Sequence, residues 1–180
     1  QETMPRQIEQ AISCFSCKRD ADLEEFLKSR AIKFEAIAKS RTYFLLDKEA
    51  LNKQTIEILA YFSIAPQVLY LPENLSGNRR KKLDGFSGKI KGEHIAVLPV
   101  ILIGQLAKND AYCKEIGGDV VLKYAFSIIK RIHEMLGGRI VMVDVKEEAS
   151  GLIRFYERHG FELLSNDLEN KLSQMIRMLC

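Results

Sequence analysis

Two stretches of this sequence carry residues whose types and spacing could do chemistry. One is Phe155-Tyr156-Glu157-Arg158-His159-Gly160-Phe161, and the other is Gly117-Gly118, which opens a strongly periodic segment. Phe155 and Phe161 read as core residues and Gly160 as a helix cap. Tyr156, beside a core residue on an exposed helix, is not accounted for by packing alone. A phenol has a proton to give and an ordinary pKa of about 10, which suits protonation of a departing thiolate. Adjacent glycines let a ligand approach the backbone closely, and a helix N-terminus offers N–H groups and a dipole that favour phosphate. Lys114 adds a point charge nearby. Taken locally, a glycine pair before a helix is more often a plain turn. A third pattern, Cys14-x-x-Cys17, has the spacing of a redox pair or half a zinc site. Cys113, Cys180 and the three histidines supply no second ligand pair, so ordinary thiols and no metal are expected.

These residues must be positioned by regular elements, and the periodicity of the chain outlines them. Ile12 to Phe15 reads as a short strand, and Asp22 as the N-cap of an amphipathic helix over residues 22–39, with Leu23, Phe26, Leu27, Phe34, Ile37 and Ala38 on its apolar face. Arg41–Asp47 and Lys53–Ala65 read as antiparallel strands joined by Lys48–Asn52. Pro66 to Glu93 reads as an irregular surface excursion with room for one helical turn. The apolar run Ile95–Ala107 suits a central strand buried on both faces. A helical period over residues 119–136 stops at Gly137-Gly138, and Arg139–Val145 follows as a second buried strand. A short helix at 149–158 and strands at 161–164 and 172–179 complete a mixed α/β order. The strand–helix–strand from 95 to 145 has the form of a βαβ crossover.

Composition bounds what such a chain can be. With 180 residues, 47% of them hydrophobic, it can bury a core as one domain spanning 1–180. Charged residues make up 28%, with both signs interspersed, which excludes a disordered chain. No apolar run has the length of a membrane span and no signal-peptide core is evident, so a cytoplasmic protein is expected. The formal net charge is only +3, so where the basic residues lie matters more than their sum.

The segment Gly104-Gln-Leu-Ala-Lys-Asn-Asp-Ala-Tyr-Cys-Lys-Glu-Ile-Gly-Gly118 resembles the strand-and-loop signature of GNAT acetyltransferases. The usual pattern there is Gly-Arg-Leu-Ala-Val-Asp, a short spacer, then Gln-Gly-Arg-Gly-x-Gly. Cys113, Lys114, Glu115 and Ile116 stand where it has Gln, Gly, Arg and Gly, and Gly118 keeps a pattern glycine in register. Phe155-Tyr156-x-x-x-Gly160-Phe161 is similar to the family's second signature. Phe15-x-Cys17, Leu23 to Ala31, Ser40-Arg41-Thr42-Tyr43, Ala60-Tyr61-Phe62-Ser63 and Leu98-Pro99-Val100 resemble the subgroup of toxins that acetylate the amino group of aminoacyl-tRNA.

The resemblance implies the GNAT fold, a central mixed and mostly antiparallel sheet flanked by helices, and acetyl-CoA as acetyl donor. It places the donor against Leu106, Ala107 and Lys108 of the strand and against Lys114, Ile116, Gly117, Gly118, Asp119 and Val120 of the loop and helix start. A carboxylate at Glu115 repels pyrophosphate, which Lys114 and the amides of Ile116 to Val120 offset. Tyr156 becomes the general acid. Arg79-Arg80-Lys81-Lys82, with Lys89 and Lys91, is the one concentrated basic stretch, and with Arg41 and Arg154 it would meet tRNA phosphates. The run is as readily a solvated loop. A homodimer and a small antitoxin partner are further implications of the subgroup. Three functions stay open: acetylation of aminoacyl-tRNA, acetylation of a small-molecule or protein amine, and a GNAT-fold binding module impaired in catalysis.

Overall fold

A computed structural model of the chain describes residues 6–179. Its elements run α1 (Arg6–Ser13), α2 (Ala21–Glu25), a π turn (Phe26–Arg30), α3 (Ala31–Ala36), β1 (Arg41–Leu46), α4 (Lys48–Asn52), β2 (Ile58–Tyr70) and α5 (Gly77–Asp84). Then follow β3 (Lys89–Ile90), β4 (Glu93–His94), β5 (Val97–Lys108), α6 (Gly118–Leu136), β6 (Ile140–Lys146), α7 (Ser150–Arg158), β7 (Glu162–Asp167) and β8 (Leu172–Met178). Six strands form one sheet in the order β1-β2-β5-β6-β8-β7. β1–β2, β6–β8 and β7–β8 are antiparallel, while β5 and β6 run parallel, with Ile101 opposite Val141. Parallel neighbours need a crossover, and α6 supplies the one expected.

The chain divides into two compact units, Gln1–Ala65 with Gly104–Ile128, and Pro66–Ile103 with Ile129–Cys180. The first has a core of Ile12, Phe15, Phe26, Leu27, Ile58 and Tyr61, closed by Ala107. Phe15 meets the Tyr61 ring edge-on at 5.3 Å, and the Tyr61 hydroxyl donates to the Leu23 carbonyl at 2.5 Å. The strand expected at Ile12–Phe15 is instead the end of α1 and the turn after it. Ile8, Ala11 and Ile12 recur at helical spacing and face this core, and a four-residue segment cannot outweigh that stripe. The long helix is present but begins on Asp20, not Asp22: the Asp20 carboxylate accepts from the Asp22 N–H at 3.1 Å. Its middle is a π turn, seen where the Ala31 N–H reaches back to the Phe26 carbonyl.

Leu69, Leu83, Leu98, Val100, Ile140, Met142 and Ile176 build the core of the second unit. β2 extends past Pro66, where the sequence suggested a stop. Its last β1 partner is Arg41 opposite Ile64, so the proline costs no bond to β1. β5 alternates at its start, with Leu98 and Val100 buried and Val97 and Pro99 exposed, rather than being buried on both faces. The excursion after β2 is also more ordered than expected. It holds α5, capped by Ser76 at its start and by Gly85 at its end, and a small β3–β4 hairpin. Gly85 is left-handed at φ 81°, and a Cβ there would lie 2.4 Å from the Arg139 guanidinium carbon. The hairpin turns through Lys91 and Gly92, both at positive φ, which suits the twist of a two-residue turn.

Arg80 organises this region. Its side chain is buried and donates to the carbonyls of Leu75 (3.1 Å), Ile95 (2.5 Å), Pro72 (2.5 Å) and Glu73 (3.1 Å). A lysine has no planar fork to reproduce this. Arg80→Ala should therefore lower unfolding free energy by about 3 kcal/mol, with Arg80→Lys recovering little. The urea midpoint measures this, and a loss below about 0.5 kcal/mol would show the staple to be unimportant.

Candidate functional site

In the first unit, β5 delivers the chain into a tight loop that ends at the N-terminus of α6. Asn109 stops the strand: its N–H bonds to the Leu59 carbonyl at 2.9 Å, and its buried side-chain amide donates to the Ile58 carbonyl at 2.9 Å. A 3-10 turn follows over Asp110–Tyr112, and the Tyr112 hydroxyl donates to Glu57 at 2.6 Å. Lys108 then closes the loop from inside. Its ammonium donates to the carbonyls of Cys113 and Ile116, each at 3.0 Å, which ties the two ends of the loop together. The helix begins at Gly118, and the Val120 N–H returns to the Gly117 carbonyl at 3.1 Å. The first N–H groups of a helix lack partners within it and project their partial positive charge outward.

Gly117 shows that the outer surface of this loop is open. Its φ is not left-handed, and a Cβ there would make only an ordinary 3.5 Å contact with an Asp119 carboxylate oxygen. Neither backbone conformation nor packing within the protein requires glycine at 117. The residues expected to hold acetyl-CoA thus form one continuous strand, loop and helix start. Leu106, Ala107 and Lys108 lie on β5, Lys114 and Ile116 in the loop, and Gly117, Gly118, Asp119 and Val120 at the head of α6. Lys108 acts inside the loop, Ala107 and Ile116 are buried in the unit, and Lys114 is exposed. These residues fit an anionic, extended group such as a CoA pyrophosphate.

A cleft of 430 Å³ beside the loop was not foreseen. Tyr43 and Phe62, stacked at 5.2 Å, form one wall, Val120 and Tyr124 of α6 another, and Glu115 and Ile116 border it. Periodicity could have suggested it, since Val120 and Tyr124 stand four residues apart on one exposed helical face.

In the second unit, α7 carries Tyr156 and Arg154. Tyr156 is 5% exposed, and its ring meets Phe155 and Phe161 edge-on, each at 5.2 Å. The expectation of an exposed helix position is therefore corrected: Tyr156 is a core residue, while Phe155 is only partly buried. Gly160 ends the helix at φ 79°, and the Phe161 N–H turns back to the Tyr156 carbonyl, which seats Phe161 on the ring. Burial pushes the Tyr156 phenol above the ordinary tyrosine range, so it keeps its proton at neutral pH.

The basic residues proposed for tRNA separate into distinct environments. Arg80 is not a surface cation at all, because four carbonyls inside the unit satisfy it. Arg79 pairs with Glu162, and Arg41 pairs with Glu35 at 2.6 Å. Lys81, Lys82, Lys89, Lys91 and Arg154 are exposed. The run is helical, so its charges point in different directions around α5. Cys14, Cys17 and Cys113 are free thiols, and Cys180 lies outside the described residues. No helix among the described residues is long and apolar enough to cross a membrane.

No family model matches the sequence. Among solved structures, a Tyr-to-Phe mutant of KacT superposes with a TM-score of 0.70 at 18% identity, covering 98% of this chain and 92% of that one. AtaT complexed with acetyl-methionyl-tRNA gives 0.67 at 18% identity, over 90% of this chain and 85% of that one. A Tyr-to-Phe mutant of the AtaT toxin, bound to acetyl-CoA and the C-terminus of the antitoxin AtaR, gives 0.62 at 16% identity, over 91% and 82%. At such identities the likeness shows the fold, and the chain has the GNAT fold implied by its sequence.

Since folded Tyr156 binds its proton more tightly than the unfolded chain does, its contribution to stability is complete below about pH 10 and drains as pH rises toward its folded pKa. Wild-type protein should lose stability more steeply above pH 10 than Tyr156→Phe. Parallel alkaline slopes in urea titrations would place the phenol in water.

Proposed function

We propose that this protein is an acetyl-CoA-dependent N-acetyltransferase whose acceptor is the amino group of aminoacyl-tRNA. The observation that carries the proposal is the loop between β5 and α6, with two carbonyls engaged by Lys108 and an unobstructed glycine at the helix head. The matched toxin structures with acetyl-CoA and with acetyl-methionyl-tRNA support donor and acceptor. In this proposal residues 1–180 act as one cytoplasmic domain. The AtaT structure with an antitoxin segment supports a small protein antitoxin as partner. A homodimer belongs to the same proposal.

Bound acetyl-CoA would supply the acyl group and a thiolate leaving group. The amides of Gly117 to Asp119 would hold its phosphates, and Lys114 would add charge from the exposed side. The β5 backbone at Leu106–Lys108 would orient the donor by strand-like hydrogen bonds, so that an amine meets the carbonyl carbon in line. Tyr156 would give its phenolic proton to the departing sulfur. The phenol holds its proton at neutral pH, while burial, by raising its pKa, makes it a weaker acid toward the thiolate than a solvated tyrosine. An aminoacyl ester amine is largely neutral near pH 7, so no dedicated base is required.

Lys81 and Lys82, with Arg154, are the cations best placed to meet phosphates, since Arg80 is committed internally and Arg79 and Arg41 are paired. That commitment favours one alternative, a small-molecule or protein amine as acceptor, which needs no basic surface. Tyr156→Phe should lower kcat about a hundredfold or more while the KM for acetyl-CoA changes less than about twofold. Undiminished turnover would remove Tyr156 from the mechanism. Replacing Lys81 and Lys82 with Gln should weaken charged-tRNA binding and flatten its log–log salt dependence by about 1.5. An unaltered salt slope, with a small amine acetylated in competition, would favour the alternative.

A further inference from the structure

The loop that opens onto Gly117 is bolted at its beginning to a part of the chain more than ninety residues away. Ser16 commits three groups to this contact. Its N–H donates to the Asn109 side-chain oxygen at 3.4 Å, its carbonyl accepts from the Asp110 N–H at 2.8 Å, and its hydroxyl donates to the Asp110 carboxylate at 3.0 Å. The Lys18 N–H adds a fourth bond, to the same carboxylate oxygen at 2.8 Å. That N–H, more than any other group, holds the Asp110 carboxyl below its usual range.

The Ser16–Lys18 segment is itself anchored. Phe15 on one side and Cys17 on the other are buried in the core of the first unit, and the Cys17 N–H donates to Glu24 at 2.9 Å. Rigidity therefore passes from the α1–α3 core through Ser16 to Asp110, and from there into the 3-10 turn and the loop. The Asp110 side chain lies near the surface, where its hydrogen bonds add little to global stability but restrict the loop to one position. Lys108 shapes the loop internally; the Asp110 contact sets where the shaped loop stands.

We infer that Asp110, acting through Ser16 and Lys18, is a positioning residue that holds the Cys113–Gly118 loop in its anion-binding position and so sets affinity for the acetyl donor. The inference rests on the proposed cofactor role of that loop. Two measurements separate them. In Asp110→Ala, the hydrogen-bonded amides of Ala111, Tyr112 and Glu115 should exchange with solvent about tenfold faster, while amides in the middle of α6 keep their rates. The KM for acetyl-CoA should rise about tenfold with kcat changed less than about twofold, since position and not chemistry is lost. Asp110→Asn, which retains an acceptor oxygen, should recover most of the affinity. Ser16→Ala combined with Asp110→Ala should be no worse than Asp110→Ala alone, because both act through one contact.

Unchanged amide exchange in Asp110→Ala would overturn the inference. So would faster exchange with an unmoved KM in a protein that turns over acetyl-CoA. If the wild-type protein neither binds nor uses acetyl-CoA, the cofactor role of the loop falls, and amide exchange still decides whether Asp110 positions it.

Discussion

The buried amide of Asn109 fixes the point at which β5 ends and the loop begins. Its side chain and main chain bond to consecutive carbonyls of β2, at Ile58 and Leu59, so the strand can neither slide nor fray there. The loop starts from this point, and the Asp110 contacts to Ser16 and Lys18 then set where it stands. Lys108, one residue earlier, reaches the Cys113 and Ile116 carbonyls only because the strand stops where it does. α6 then starts at Gly118, with the Val120 N–H returned to the Gly117 carbonyl.

The two compact units contribute different physical properties. The first supplies rigid backbone and a field: a strand end, a loop closed by an internal lysine, and a helix dipole. The second supplies a protonated phenol kept out of water by Phe155 and Phe161, and a helix of cations stapled by Arg80. Both use buried polar groups that are satisfied by main-chain oxygens rather than by counter-charges. Such contacts give little net stability for each bond formed, but a partner left unmade inside the fold is costly, so they define a single geometry.

Motifs at short range were legible because they are local. The glycine turn, the helical period of α6, the stop at Gly137-Gly138 and the aromatic–glycine–aromatic end of α7 depend on neighbours within a few residues. Errors arose where a residue's role depends on a distant one. Pro66 reads locally as a stop, yet β1 has no residue opposite β2 beyond Ile64. Ile12 to Phe15 reads as a short strand in isolation, yet a distant core selects the helical stripe that includes Ile8. Asn109 and Asp110 drew no notice as functional residues because their partners lie near residues 16 and 58.

Tyr156 and the basic run mark the same division. From sequence alone, the chain determined the types of residue and their local order: a tyrosine two turns into a short helix, a glycine pair before a long one, four cations in a row. Only the tertiary structure decided which of these groups face solvent and which are consumed internally. Arg80 and Lys81 are adjacent and alike in the sequence, but one is folded against four carbonyls and the other remains in water. The reason is geometric: burial and hydrogen bonding depend on which carbonyls converge in space, and that convergence is set by strand pairing across the whole chain.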